Sequence, residues 1–259
     1  MSKDNDRSMT GAERGAFVMT RWTEISAART LDPERRRQAV GRIMRRYWKP
    51  VYAYLRRKGN DHDKSADLVQ GFFIKVIQRD LIQQADSNRG RFRSLLLTAL
   101  DRYVRDEYAK ESTHKRRPAG GVGSLDAFEV PPPLPAMDAS PEQAFVYAWA
   151  SQLLDRVLAD VEAQCRQSGQ QQHWEVFRQT VIEPTLFGAE IPPMPTLCRE
   201  LDIGTPKQAA AMNVTVKRRF KRVMRAHVLE FVASEEEVES EIGNLMDILS
   251  RTGAGKQVP

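Results

Sequence analysis

Residues 92–104 of this chain place Phe92, Leu95, Leu96, Ala99, Leu100, Tyr103 and Val104 at i, i+3, i+4 spacing almost without error. An α-helix brings such positions onto one face, and no other regular structure does. The same period recurs elsewhere. Val40, Ile43, Met44, Tyr47, Val51, Tyr54 and Leu55 trace one stripe, and Val69, Phe72, Phe73, Val76 and Ile77 trace another. No stretch alternates apolar and polar residues convincingly enough to make a strand. The predicted fold class is all-α.

Local punctuation sets the expected boundaries. Asp32 caps a helix with Pro33 at its first position, and Gly59 ends it. Pro50 lies inside, so a kink or break is expected at Lys49. Two more helices are predicted at about 63–78 and 91–111. Residues 116–140 then carry three glycines and five prolines, a composition that neither helix nor sheet tolerates. Beyond this linker, Ser140 and Gln143 form a capping box that starts a helix with Leu154, Val157, Leu158 and Val161 inward. A further helix carries Trp174, Phe177 and Val181. The expected organisation is two helical modules joined by a Pro/Gly-rich linker. Residues 1–16 are expected to be disordered, 17–115 form the first module, 116–140 the linker, 141–232 the second module and 233–259 an acidic extension.

Within the second module, residues 194–228 read as a short helix, a glycine turn and a long basic helix. This is a helix-turn-helix. Leu197 and Leu201 pair on the first helix, Ile203-Gly204 makes the turn, and Thr205 with Pro206 starts the second helix. A positive φ is expected at Gly204, where glycine adopts it without steric cost. Ala209, Val216, Phe220 and Val223 fall near one face, with Lys207, Thr215, Arg218, Arg219 and Arg222 on the others. Between Thr196 and His227 stand eight Lys/Arg and two acids. A basic second helix of this kind is the element that enters a DNA major groove. The competing reading is a solvated charged helix that binds nothing.

The net charge of +6 conceals clustering. Residues 35–58 hold ten basic residues and no acid, and 89–117 hold nine basic and four acidic ones. Such blocks point to a polyanion partner. Residues 230–241 hold six acids and no base, which is expected to be a solubilising tail. Val238, Ile242, Leu245 and Leu249 recur near helical spacing there, leaving open a regulatory helix or plain core. Cys165 and Cys198 lie far apart without metal-ligand spacing, so neither a disulfide framework nor a zinc site is expected, and no cofactor is implied. No apolar run is long enough for a membrane span, and the polar N-terminus is not a signal peptide. A cytoplasmic, non-enzymatic protein is expected: there is no Gly-rich phosphate loop, no paired carboxylates on an apolar background and no nucleophile arrangement.

Several short motifs carry a resemblance. Asp67-Leu68-Val69-Gln70-Gly71-Phe72-Phe73-Ile74-Lys75-Val76 resembles the D-L-V-Q-x-x-F-x-x-V helix of extracytoplasmic-function sigma factors, which docks on a coiled coil of the RNA polymerase β′ subunit. Phe92-Arg93-Ser94-Leu95-Leu96, followed by Ala99, is similar to their F-R-x-W-L helix at the −10 surface, with Leu95 in place of tryptophan. The opening Phe17 to Trp22, FVMTRW, is similar to the F-x-x-T-R-W start of one divergent group. These motifs and the helix-turn-helix cover roughly residues 17–232, in the family's order.

The resemblance implies a protein that binds core RNA polymerase and directs it to promoters, making no bonds itself. Asp67, Leu68, Gln70 and Phe73 are the implied polymerase contacts. The loop Asp86 to Arg91 is implied to capture a flipped −10 base, with Asn88 on the base edge and Arg89 and Arg91 on the backbone. Arg93, Arg102 and Arg105 continue that basic surface. At the −35 element, Lys207, Gln208, Thr215 and Arg218 are placed to reach base edges, whereas Arg219, Arg222 and Arg225 hold phosphates. Tyr103, Trp22 and Trp48 are assigned to core packing. One departure stands out. Lys64, Ser65 and Ala66 precede Asp67, and Gly71 follows Gln70, where the family usually has carboxylates. Docking is weakened by about 1 kcal/mol per lost exposed pair. Phosphorylation of Ser65 would add close to two negative charges there. A regulator such as a Ser/Thr kinase or an anti-sigma factor is therefore a further candidate partner, beside core polymerase and promoter DNA. The chief alternative is a helix-turn-helix DNA-binding regulator that never touches polymerase. An RNA-binding adaptor, which the basic blocks alone permit, is the other.

Overall fold

The computed structural model describes residues 32–78, 85, 92–113, 139–230, 232 and 235–253. The fold is all-α, and no strand occurs among the described residues. The first three helices are α1 (Pro33–Arg57), α2 (His62–Gln78) and α3 (Phe92–Thr113). After them come α4 (Pro141–Gln167), α5 (Gln171–Phe177), a π-helical turn (Arg178–Ile182) and α6 (Glu183–Phe187). The last are α7 (Met194–Glu200), α8 (Pro206–Leu229) and α9 (Glu237–Gly253). No described helix is long and apolar enough to cross a membrane.

The caps act where expected. Asp32 Oδ1 accepts from Glu34 N at 3.0 Å and Arg35 N at 3.2 Å. Ser140 and Gln143 satisfy each other's backbone N–H groups in a full capping box. Pro50 does not break α1, which runs unbroken through it. The physical reason is burial on both sides of the proline. An interior proline costs about 3 kcal/mol. Tyr47, Val51, Tyr54 and Leu55 are all buried, and each contributes roughly 1.5–3 kcal/mol.

The linker drawn at 116–140 lies almost wholly outside the described residues. The helices on either side of it share one core. α4 packs along α1, and a single apolar cluster runs from Ala39 to Leu245. At the junction Tyr47 stacks on Phe145 with centroids 6.3 Å apart and meets Phe92 edge-on at 5.7 Å. Trp48 and Tyr103 are buried, as core anchors. A second, small cluster of Val176, Leu197, Cys198, Ile203, Ala209 and Met212 fixes α7 against α8.

The acidic segment is not a solvated tail. Its apolar stripe folds as α9, with Val238 and Leu245 buried and Ile242 and Leu249 packed on the main core. Burial of that stripe outweighs the solubility of its carboxylates.

Candidate nucleic-acid interface

The entry to α8 is built by its flanking residues. Leu201 ends α7, and Asp202 takes the left-handed conformation at φ 51°. Ile203 N then donates to Cys198 O at 2.8 Å, and buried Ile203 packs beside Cys198. This is a Schellman termination, and a short polar Asp tolerates the left-handed position. The expected positive φ at Gly204 is therefore corrected: it falls two residues earlier. A Cβ at Gly204 would lie 3.3 Å from Gln208 Oε1, the end of an exposed flexible side chain that can give way, so space does not demand glycine there either. Thr205 Oγ1 accepts from Gln208 N at 3.2 Å and caps α8.

Ala209, Met212, Val216, Val223, Met224 and Val228 turn inward along α8. The opposite face is exposed and carries Lys207, Gln208, Thr215, Arg218 and Arg222. Thr215 Oγ1 donates to Ala211 O at 3.0 Å, and the residue is exposed. Arg222 reaches Gln164 Oε1 at 3.3 Å and stays exposed. Sequence reasoning missed Val214 and Lys221 on this face. Val214 is 46% exposed. It lies seven residues past Lys207 and four before Arg218, so helical phase alone would have placed it there.

One arginine of α8 faces inward, and another on the exposed side is already paired. Arg219 was expected on phosphate, but it is half-buried and donates to Cys165 Sγ at 2.8 Å and Gln170 Oε1 at 2.7 Å. It seals α8 against the end of α4. Burial and the nearby Arg219 charge hold the His173 imidazole below its usual range. Arg225 pairs with Glu239, and with Glu235 at 3.7 Å, both from the acidic segment.

On the −10 side, Asn88, Arg89 and Arg91 lie outside the described residues. Arg102 is exposed. Arg105 is exposed and pairs with Asp101, whose carboxyl is held below the usual range chiefly by that contact. Arg93 corrects the expectation of a DNA contact. Its guanidinium is buried over the Trp149 ring, 4.4 Å from the centroid, and pairs with fully buried Glu241 of α9. Arg93 stands seven and eleven residues before buried Leu100 and Val104, so it belongs to the inner side of α3.

The α2 surface is also revised. Asp67 is exposed and Gln70 partly so, but Leu68 and Phe73 are buried and offer nothing to a partner. Ile74 stands at 49% exposure on the side of Asp67 and Gln70, and was missed. Ser65 is fully buried, with its hydroxyl donating to Asp61 O at 2.6 Å. It precedes Val69, Phe72 and Val76 by four, seven and eleven residues, in phase with the core. A kinase would have to unfold the start of α2 to reach it. Gly71 has a structural reason: a Cβ there would collide with the Tyr103 hydroxyl of α3.

Compared with known proteins, this chain matches no family model, no curated protein and no solved structure. The geometry stands by itself. It presents one capped helix with an open cationic face, seated on a rigid core.

Proposed function

We propose that this chain is a sigma-type promoter-recognition protein that binds duplex DNA through α8 and delivers core RNA polymerase. The α7–turn–α8 unit is read as a helix-turn-helix. The carrying observation is the outer face of α8, where Lys207, Gln208, Thr215, Arg218 and Arg222 are exposed together on a helix anchored by its opposite side. Lys207 and Arg218 make no ion pair or hydrogen bond among the described residues, so their donors are available to guanine O6/N7 or phosphate. Val214 between them fits a thymine methyl. On α2, Asp67, Gln70 and Ile74 supply a small mixed surface for the polymerase coiled coil.

Run-off transcription with purified core polymerase over a promoter library tests the reading. Protein-dependent start sites sharing two spaced motifs are the expected result. The second reading is a DNA-binding regulator independent of polymerase. Burial of Leu68 and Phe73 favours it, because half of the polymerase contacts implied by the resemblance are inside the core. Duplex binding without core-polymerase binding or new transcripts would establish that alternative.

A further inference from the structure

We propose that α9 is a reversible acidic strap that competes with DNA for the basic face of α8. The inference rests on the duplex-binding reading and adds a device that regulates it. α9 is tied to the candidate DNA helix α8 and to the core cation of α3 at once. Through Glu239, with Glu235 just before the helix, it holds Arg225 of α8, and through Glu241 it holds Arg93 of α3. Carboxylates placed on Arg225, an exposed arginine of the candidate DNA helix, occupy the same donors that phosphates would take. Lys221 and Lys217, one and two turns before Arg225, make no ion pair among the described residues and add to the positive field beneath the strap.

The seat of the strap is incomplete. Between α9, α8 and α4 lies a cleft of about 730 Å³ with an apolar lining that includes Leu154, Phe177, Phe220, Met224 and Met246. Val238 and Leu245 are buried, yet Met246 remains 38% exposed at the cleft. A helix that fills its groove only in part forgoes contacts that a close-packed core would make. Its seat is therefore weaker than a close-packed one would be, and its Arg225 pairs are exposed enough for salt to weaken them.

The test uses the full chain and a short fluorescent duplex at low salt. Glu239→Gln removes one carboxylate from Arg225. Asp247→Asn removes the same charge from the outward face of α9. Glu239→Gln is expected to tighten duplex binding roughly two- to five-fold, the worth of an exposed pair, and Asp247→Asn to leave it unchanged. Equal gains in both would reduce the effect to net charge and overturn the strap, as would no gain in Glu239→Gln. If no form of the chain binds duplex, the DNA reading itself fails. Hydrogen exchange then judges the strap: α9 amides should exchange faster than those of α4, and faster still in Glu239→Gln. Equal protection of α9 and α4 in every form would overturn it.

Discussion

Replacing Glu241 by alanine probes the longest-range polar contact described. The Glu241 carboxylate is fully buried and the Arg93 side chain only 10% exposed. Removing one member of such a pair ordinarily costs about 3–5 kcal/mol, because the other charge stays buried without its counterion. Two features lower that figure here. The Trp149 ring under the guanidinium still favours the cation, by roughly 1–2 kcal/mol. In addition, α9 can leave as a unit, and once it does Arg93 meets water. The cost therefore cannot exceed the free energy that seats α9. That seat rests mainly on Val238 and Leu245, at about 1.5–3 kcal/mol each before ordering entropy is subtracted. The expected loss is about 2–3 kcal/mol, or a Tm lowered by roughly 4–12 °C. Urea unfolding followed by circular dichroism reads both the midpoint and the slope. If α9 is released in the variant, the slope falls, since that surface is already exposed before global unfolding. A loss under about 0.5 kcal/mol with an unchanged slope is surface behaviour and would refute the reasoning. The compensated pair Arg93→Met with Glu241→Leu should recover to within about 1 kcal/mol of the parent.

Gly71→Ala should destabilise by about 1–2 kcal/mol despite the better helix propensity of alanine, because the buried Tyr103 ring, packed on Phe72 and under Lys75, must shift to clear the new methyl. Adding Tyr103→Phe removes the hydroxyl and should restore most of the loss in the same urea assay. Thr205→Ala should cost about 1 kcal/mol by deleting the cap of α8, read as a lower thermal midpoint. Arg218→Ala and Arg219→Ala should separate function from packing. The first weakens duplex binding at unchanged Tm, and the second lowers Tm through the lost Cys165 and Gln170 contacts. Asp101 gives a pH signature. Its folded pKa lies below the unfolded one, so its contribution is present above the usual carboxylate range and fades as pH falls through the folded value. Asp101→Asn should therefore lower stability at neutral pH and flatten the acid limb of the stability profile.

Helix positions and caps were legible in the sequence because they depend on residues a few positions apart. Asp32, Ser140 and Thr205 needed no tertiary information. Helical phase also held the fates of Ser65 and Arg93, but residue type masked them: a serine or arginine reads as surface until its position is counted against the stripe. The packing of α4 on α1 was not legible. An apolar stripe states which face is buried and says nothing of what buries it, so two stripes such as those of Tyr47 and Phe145 look like separate cores until they meet. The acidic segment failed for a related reason. Its six carboxylates dominate the composition, while four apolar residues in phase decide the structure.

The contact between Arg93 and Glu241 spans 148 residues of chain. During synthesis at about 5–20 residues per second, roughly 7–30 s separate the appearance of the arginine from that of its counterion. Through that interval α3 must keep a cation at the edge of an unfinished core. The first three helices also wait for α4 to cover Tyr47. The first half of this protein therefore completes its core only once the later helices have been made.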